Sequence, residues 1–344
     1  MRKKYLVIAM TIIGGVFPGL ALASWAGTAK ETSVSAAKVI LLGTAGGPII
    51  RKTRSQPANL VVVNGAKYLV DVGEGTVLQL AKLNIPSSDI TAAFITHHHI
   101  DHTAGLSSLL EFRWALLMSG TKRQPLALYG PPGTHEITDA ALRVLSVSAG
   151  VFRAQAPTAP PVELTVNATD AVPGLVYQDA NVRVTAVENS HYSTTRMPET
   201  QHGMDRSYSY RIDTPDGSVV FTGDSGPSDA LEKLAKGADL LVSEVIDTNG
   251  MVAFAKGQTV APAVAAAMVK HMEQEHLSAE AVGRLATRAH VRRVVLTHYA
   301  MPSEDPNAPN ELARQVRRWF KGPVVAGGDL AELSLGSRTG VRTQ

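Results

Sequence analysis

The sequence contains no cysteine. That excludes disulfides, a catalytic thiol, a cysteine zinc ligand and a lipid-anchored cysteine. Any metal site must therefore be built from histidine and carboxylate. No twin arginine stands near the N-terminus, so an exported chain would cross the membrane unfolded and acquire its metal outside the cytoplasm. Repeats and low-complexity tracts are also absent. The 344 residues, 44% hydrophobic and 18% charged, fit a soluble globular protein with a sizeable core, in one large domain or two ordinary ones.

Net positive charge is scarce once the first residues are set aside. Arg2, Lys3 and Lys4 precede the apolar run "YLVIAMTIIGGVFPGL", and Ala21–Ala23 supply a small-x-small cleavage site. That is the layout of a secretory signal peptide. Ser24-Trp25-Ala26 offers a second cleavage point. The run approaches the roughly 20 residues of a membrane anchor, but Pro18 and the small residues after it favour cleavage. Without residues 1–23 the chain holds 30 Lys and Arg against 30 Asp and Glu. The formal net charge is then zero, and the pI near 9.0 belongs to the precursor. No whole-molecule attraction to nucleic acid or to an anionic membrane is indicated.

What is present is strand, hairpin and helix in alternation. "KVILLGT" reads as a buried strand. "LVVV-NG-AKYLVDVG" places Asn-Gly between two β-rich runs, a strong hairpin signal. "TVLQLAKLNI" has helical spacing, "ITAAFIT" is a strand, "LSSLLEFRWALLM" an apolar helix and "PLALYGPPG" a strand and turn. Residues 151–174, rich in Pro, Ala and Thr, read as irregular. "VRVTAVENSH" is a strand ending in His191. "SYSYRIDTPDGSVVFTGDS" is a hairpin ending at Asp224. "LLVSEVI", a helical stretch over 259–288 and "RVVLTH" complete the pattern. Such an order predicts an α/β fold with helices covering both faces of two sheets.

His97, His99, His191, Asp224, Glu244 and His298 all fall at or near the C-terminal end of a predicted strand, where rigid elements meet variable loops. In "THHHIDH" (96–102), His97 and His99 are two apart, which in extended backbone puts both on one side. His98 points the other way and reads as structural. Asp101 and His102 follow where the chain turns into a helix. Five or six nitrogen and oxygen ligands without sulfur suit borderline divalent metals, zinc first.

His97-His98-His99-Ile100-Asp101-His102 resembles the H-x-H-x-D-H signature of the metallo-β-lactamase superfamily. The resemblance extends along most of the chain: "LLGTAGG" and "YLVDVGEG" are similar to the family's opening strands, "NSH" to its third histidine, "FTGDSG" to its bridging carboxylate and "LTH" to its last histidine. It implies a single four-layer αββα sandwich. Residues 1–23 would be the signal peptide, 24–37 a flexible lead-in and 38–344 the catalytic domain, in the periplasm or secreted, without stable membrane association after cleavage. It further implies a dinuclear site, with zinc as the expected pair of ions and Mn²⁺ or Fe²⁺ as alternatives. His97, His99 and His191 would hold the first ion, Asp101, His102 and His298 the second, and Asp224 would bridge them. Two such cations lower the pKa of a shared water and stabilise charge on a carbonyl or phosphoryl oxygen. Asp101 can also orient or deprotonate that water, and Asp71 resembles the family's supporting aspartate.

The aspartate in "TGDSG" without cysteine resembles the tRNase Z-like and phosphodiesterase branch. "SEVI", with Glu244, resembles that branch's H-E-A-T element, although Ser243 stands in place of its histidine. His276-Leu277-Ser278 resembles its H-S-T element, whose histidine assists proton transfer. The branch's tRNA-binding arm, however, has no counterpart between His191 and Asp224: residues 192–223 are short, mostly a hairpin, and hold three arginines against four carboxylates. We therefore expect a zinc-dependent hydrolase of a small ester, lactone or phosphodiester, with nucleic acid an improbable substrate. "HYSTTRMPETQHGMDRSY" would overhang the site, with Arg196 or Arg206 binding a substrate anion. "EFRWALLM" would pack in the core or line an apolar wall. Alternatives are a periplasmic β-lactamase-like amidase, a tRNase Z-type endoribonuclease and a non-catalytic metal-binding protein, because loops and not ligands choose the scissile bond.

Overall fold

The computed structural model describes residues 36–117, 124–336 and 341–342. The expected signal peptide and residues 24–35 of the lead-in lie outside the described residues. The chain begins its described part with β1 (Lys38–Gly43), β2 (Ala58–Val63) and β3 (Ala66–Val70). β2 and β3 form the expected hairpin, closed by Asn64 and Gly65 at φ 50° and 86°; two positive φ values are what a tight turn matching strand twist demands, and Asn-Gly supplies them at little steric cost. Then come α1 (Thr76–Lys82), β4 (Ala92–Phe94), the short α2 (Ile100–Thr103), α3 (Leu106–Leu117), β5 (Leu126–Gly130), α4 (Thr134–Gln155) and β6 (Val166–Asp170).

The second half repeats the plan. β7 (Gly174–Gln178) and β8 (Arg183–Glu188) precede a small hairpin, β9 (Glu199–Thr200) and β10 (Gly203–Met204). β11 (Tyr208–Thr214), β12 (Gly217–Phe221), α5 (Asp229–Ala235), β13 (Leu240–Ile246), α6 (Thr248–Lys256), α7 (Pro262–Gln274), α8 (Ala279–Arg288), β14 (Val294–Ala300), α9 (Ala308–Val316) and β15 (Val324–Ala326) follow. β16 (Glu332–Ser334) and β17 (Val341–Arg342) return to the first sheet. Strand order in that sheet is β17-β16-β1-β2-β3-β4-β5-β6, and in the second β15-β14-β13-β12-β11-β8-β7.

Burial explains the layering. Within β1, Val39 and Leu41 point between the sheets, where they meet Val184, Tyr210, Ile212 and Phe221. Ile40 and Leu42 point the other way, into a cluster with Leu80 of α1, Leu109 of α3 and Ala141 of α4. A strand covered on both faces has no polar face to show, so its sequence is an uninterrupted apolar run. β13 and β14 are likewise covered outside by Leu231 of α5, Val282 and Leu285 of α8 and Leu312 of α9. The result is the four-layer αββα sandwich. No helix among the described residues is long and apolar enough to cross a membrane.

Two stretches differ from expectation. Residues 151–174 are not irregular throughout: α4 continues to Gln155, and β6 follows at Val166. The helix breakers begin only at Pro157, and α4 stops just before it, as the restriction on the residue preceding proline requires. The helical stretch over 259–288 is two helices, because residues 275–278 turn out of helix and Ser278 Oγ caps α8 by accepting the Ala281 N–H. That break delivers Glu275 and His276 to one end of the sandwich. "EFRWALLM" packs rather than lines: Trp114 is buried against Leu145 and Val162, and Arg113 is buried with its guanidinium on the carbonyls of Ser87, Ser88, Ile90 and Thr165. Met118 lies outside the described residues.

Candidate metal centre

β4 ends at Phe94, and the chain then crosses one end of the sandwich as "ITHHHIDHT". Three devices fix its path. Thr96 N–H donates to Asp71 Oδ1 at 2.8 Å, and Thr96 Oγ1 donates to the same carboxylate. Asp71 itself sits in the left-handed region at φ 64°, a conformation that surrounding structure must hold. Gly47 N–H donates to Asp101 Oδ2 at 2.9 Å, and a Cβ on Gly47 would lie 2.1 Å from Asp101 Cγ, so only glycine admits this approach.

The fold brings the motif to His191, after β8, to Asp224, after β12, and to His298. His298 and Glu244 do not end their strands: β14 and β13 continue for two more residues each. Their pairing shifts register between Ser243 and Val245, and His298 adopts φ 42°. Such a bulge re-aims a side chain.

Two donor groups meet on one carboxylate. On one side His97 Nε2 and His191 Nε2 lie 3.0 and 3.2 Å from His99 Nδ1, and both face Asp224 Oδ2, at 3.8 and 3.9 Å. On the other, His102 Nε2 and His298 Nε2 face Asp224 Oδ1 at 3.3 and 3.1 Å. They also face Asp101 Oδ2, at 3.5 and 3.3 Å. Each oxygen of Asp224 therefore serves one group. His102 Nε2 and Asp224 Oδ1 are buried without a hydrogen bond, although buried polar atoms almost always have one. Buried atoms such as His102 Nε2 and Asp224 Oδ1, which face each other unpartnered, fit ligands arranged round a cation, and both sets fall among the donor clusters close enough to hold one. Nitrogen and carboxylate donors with no sulfur suit a divalent ion.

Three of the remaining ring nitrogens are anchored. His102 Nδ1 donates to Asp71 Oδ2 at 2.9 Å, His97 Nδ1 meets Thr96 Oγ1 at 3.0 Å, and His191 Nδ1 donates to the Glu275 carbonyl at 2.9 Å. Each anchor fixes the tautomer that leaves the other nitrogen free to bind. The two groups differ electrostatically. Burial holds His97, His191 and His99 below the ordinary imidazole range, the neutral form a ligand needs. Burial also pulls His102 and His298 down, but the carboxylates of Asp224 and Asp101, joined at His102 by Asp71, outweigh it and leave both raised. Asp224 and Asp101 lie below the usual carboxylate range despite burial, because these imidazoles surround them. The second group demands positive charge.

Beside the centre, Glu244 is buried and accepts from Ser225 N–H at 2.6 Å and from His276 Nδ1 at 2.7 Å. Burial raises Glu244. Burial lowers His276, but the Glu244 charge outweighs it and pushes it up to about 9. Ser243, where the related element has histidine, turns its hydroxyl to the Glu244 carbonyl. His276 Nε2 lies 3.2 Å from His271 Nε2, whose ring bonds Glu275. His271 and Glu275 were not singled out in the sequence, yet "KHMEQEH" directly ahead of Leu277-Ser278 carries the signal: two histidines and two glutamates within six residues.

The remaining expected residues are spread more widely. His98 faces away from His97 and His99: its Nε2 lies 3.0 Å from Thr134 Oγ1 and its Nδ1 3.5 Å from Asp205. Tyr192, at the start of the 192–207 loop, lies tilted against His191 and edge-on to His99. Arg206 is engaged with Glu188. Arg196 is exposed and borders a separate cavity of about 700 Å³ beside Tyr192.

Residues 66–299 match the Beta-lactamase superfamily domain. Proteins named Ribonuclease Z are similar along nearly their whole length: one from Mycobacterium sp. (strain KMS) is 32% identical over 295 residues, covering 85% of this chain and 94% of its own. Another, from Mycobacterium bovis (strain BCG / Pasteur 1173P2), is 29% identical, covering 88% and 99%. Among solved structures, the metallo-β-lactamase fold protein YhfI from Bacillus subtilis superposes with a TM-score of 0.61 at 19% identity, and human tRNase Z, short form, with 0.60 at 23%; each covers 87% of this chain and 99% of its own. These relatives overturn the expectation of a small-ester hydrolase for which nucleic acid is an improbable substrate. A net charge averaged over the chain does not measure the field at one surface. A missing arm removes one contact surface and leaves the reacting groups untouched. The chain is a metal-dependent hydrolase, and it belongs to the metallo-β-lactamase superfamily.

Proposed function

We propose that this protein is a ribonuclease Z-type endoribonuclease, hydrolysing a phosphodiester in precursor tRNA with two zinc ions per chain. The observation that carries the reading is the Glu244–His276 pair, 2.7 Å apart, set against a carboxylate whose two oxygens face two donor groups. His97, His99 and His191 would hold one ion, Asp101, His102 and His298 the other, with Asp224 shared. When bound, the ions would supply Lewis acidity, acidifying water and stabilising charge on the phosphoryl oxygens.

The protein's own part is positioning and proton control. Asp71, Thr96 and the Glu275 carbonyl hold the imidazoles in their binding tautomers. Asp101, held by the Gly47 N–H, orients the attacking water. In the reaction a water releases one proton to solvent as its oxygen bonds phosphorus, the P–O bond to the leaving ribose breaks, and the ribose oxygen takes a proton. His276 supplies that proton: Glu244 keeps it charged, and the residue lines the cavity that opens on the centre. Arg196 remains the cation available to a phosphate outside the centre. The ribonuclease Z relatives support the RNA substrate. Export, proposed from the leader-like residues 1–23, concerns where the enzyme meets RNA and not how it cleaves it; an N-terminus at or near Ser24 in a periplasmic fraction tests it.

Zinc-loaded full-length protein is expected to cleave a precursor tRNA at its 3′ trailer, and chelation is expected to abolish the activity until zinc returns. Cleavage of aryl esters or lactones with precursor tRNA left intact would overturn the reading.

A further inference from the structure

A cavity of about 370 Å³ opens directly on the candidate centre, within the roughly 300–1,000 Å³ that small-ligand sites occupy. Asp224 and His298 line one wall. Another part of the lining has a different chemistry. Ile246, Met251, Met268, Met272 and Ala300 form it, and four of these belong to a buried apolar cluster against which Met268 packs. α6 and α7 build most of this wall. They are a helical hairpin inserted between Glu244 and His276, the two residues paired beside the centre. At the cavity's edge stands Ile100, 65% exposed although it sits inside the metal motif.

Three methionines converging on a reaction centre are chemically informative. The side chains are unbranched and polarisable, so they adapt to a flat π face and make favourable sulfur–ring contacts. They offer nothing to a phosphate and only a weak acceptor to a ribose hydroxyl. On the RNA reading, on which this inference rests, the base is the part of a nucleotide with an apolar face. A paired base cannot enter a cavity of this size without leaving its partner, and single-stranded bases are the ones proteins stack. We propose that the Met251–Met268–Met272 wall is a nucleobase subsite, which takes one unpaired base adjoining the scissile phosphodiester while the phosphate lies at the metal centre. The subsite gives the enzyme a requirement for an unpaired nucleotide at the cleavage point and does so without base-edge readout, so it tolerates different bases.

Calorimetry on zinc-loaded full-length protein separates this from the RNA reading, because it needs no turnover. The probes are uridine 5′-monophosphate, adenosine 5′-monophosphate and ribose 5-phosphate. Both nucleotides are expected to bind about tenfold tighter than ribose 5-phosphate, the order that one or two sulfur–ring contacts contribute. Met268→Gln keeps the side chain's length on a half-exposed helix position and removes its apolar end. It is expected to erase most of the nucleotide advantage and to leave the ribose 5-phosphate affinity unchanged. Ile100→Ser, at an exposed edge position, is expected to reduce the advantage by a smaller factor. Equal affinity for all three probes, or a nucleotide advantage untouched in Met268→Gln, would overturn the subsite. Retained nucleotide preference in a protein that leaves precursor tRNA intact would overturn the RNA reading and leave the subsite standing.

Discussion

The two donor groups on either side of Asp224 are built by opposite means. His97, His99 and His191 form a group with nitrogen donors alone apart from the shared carboxylate, and burial holds all three neutral. Asp101, His102 and His298 form a group steeped in negative charge, with Asp71 behind His102 at 2.9 Å. The difference shows how one small space can hold two cations. The first group attracts an ion by lone pairs, the second by charge as well, and only Asp224 is common to both. Disturbing Asp224 should therefore cost both groups, whereas disturbing Asp71 should cost one.

Asp224→Ala breaks the comparison most completely. It is expected to lower kcat/KM by two or more orders of magnitude and to drop bound zinc below that of any single-group variant, because the shared ligand is gone; activity assays with metal analysis check both. Asp71→Asn sharpens it. The charge behind His102 disappears while the hydrogen-bonding shape is nearly kept, so zinc affinity of the second group should fall about 10–100-fold, with the first group unchanged. Competitive chelator titration resolves the two.

The Glu244–His276 pair gives a pH signature. His276 is raised to about 9 by Glu244, so it is protonated at neutral pH and loses its proton as pH rises through that value. A proton-donor role then predicts a falling limb in the kcat–pH profile at or below about pH 9, since nearby cations can only lower it. Glu244→Gln should move the limb to lower pH, because it removes the charge that outweighs burial. A profile flat to pH 10 would exclude His276 as the donor. Smallest of all is His98→Ala. The residue touches Thr134 and Asp205 instead of the donors, so the loss should stay below about 1.5 kcal/mol of stability, with zinc content unchanged. Metal loss in His98→Ala matching that in Asp224→Ala would refute the assignment of the motif's facing.

Much of the centre was legible because its determinants are local. His97 and His99 share a side through strand alternation, and the turn into α2 presents Asp101 and His102. Asp224 and His298 were readable from short segments after apolar strands. The bulge that re-aims Glu244 and His298 was not, since it arises from the pairing of β13 with β14, which neither strand encodes alone. His271 and Glu275 were missed for the same reason: their role depends on where the α7–α8 break places them against His191 and Thr194. The long α4 was obscured by prolines that begin only at its end. Charge averaged over the chain pointed away from RNA because substrate choice rests with surfaces and loops, whose placement only the fold reveals.

The division of labour around Asp224 is tested most directly by zinc stoichiometry, measured by mass spectrometry of the native protein. The wild type is predicted to carry two zinc ions per chain, Asp71→Asn one at limiting zinc, and Asp224→Ala fewer than one. A wild type that saturates at a single ion, or an Asp224→Ala variant that keeps two, would contradict the bridged pair of donor groups.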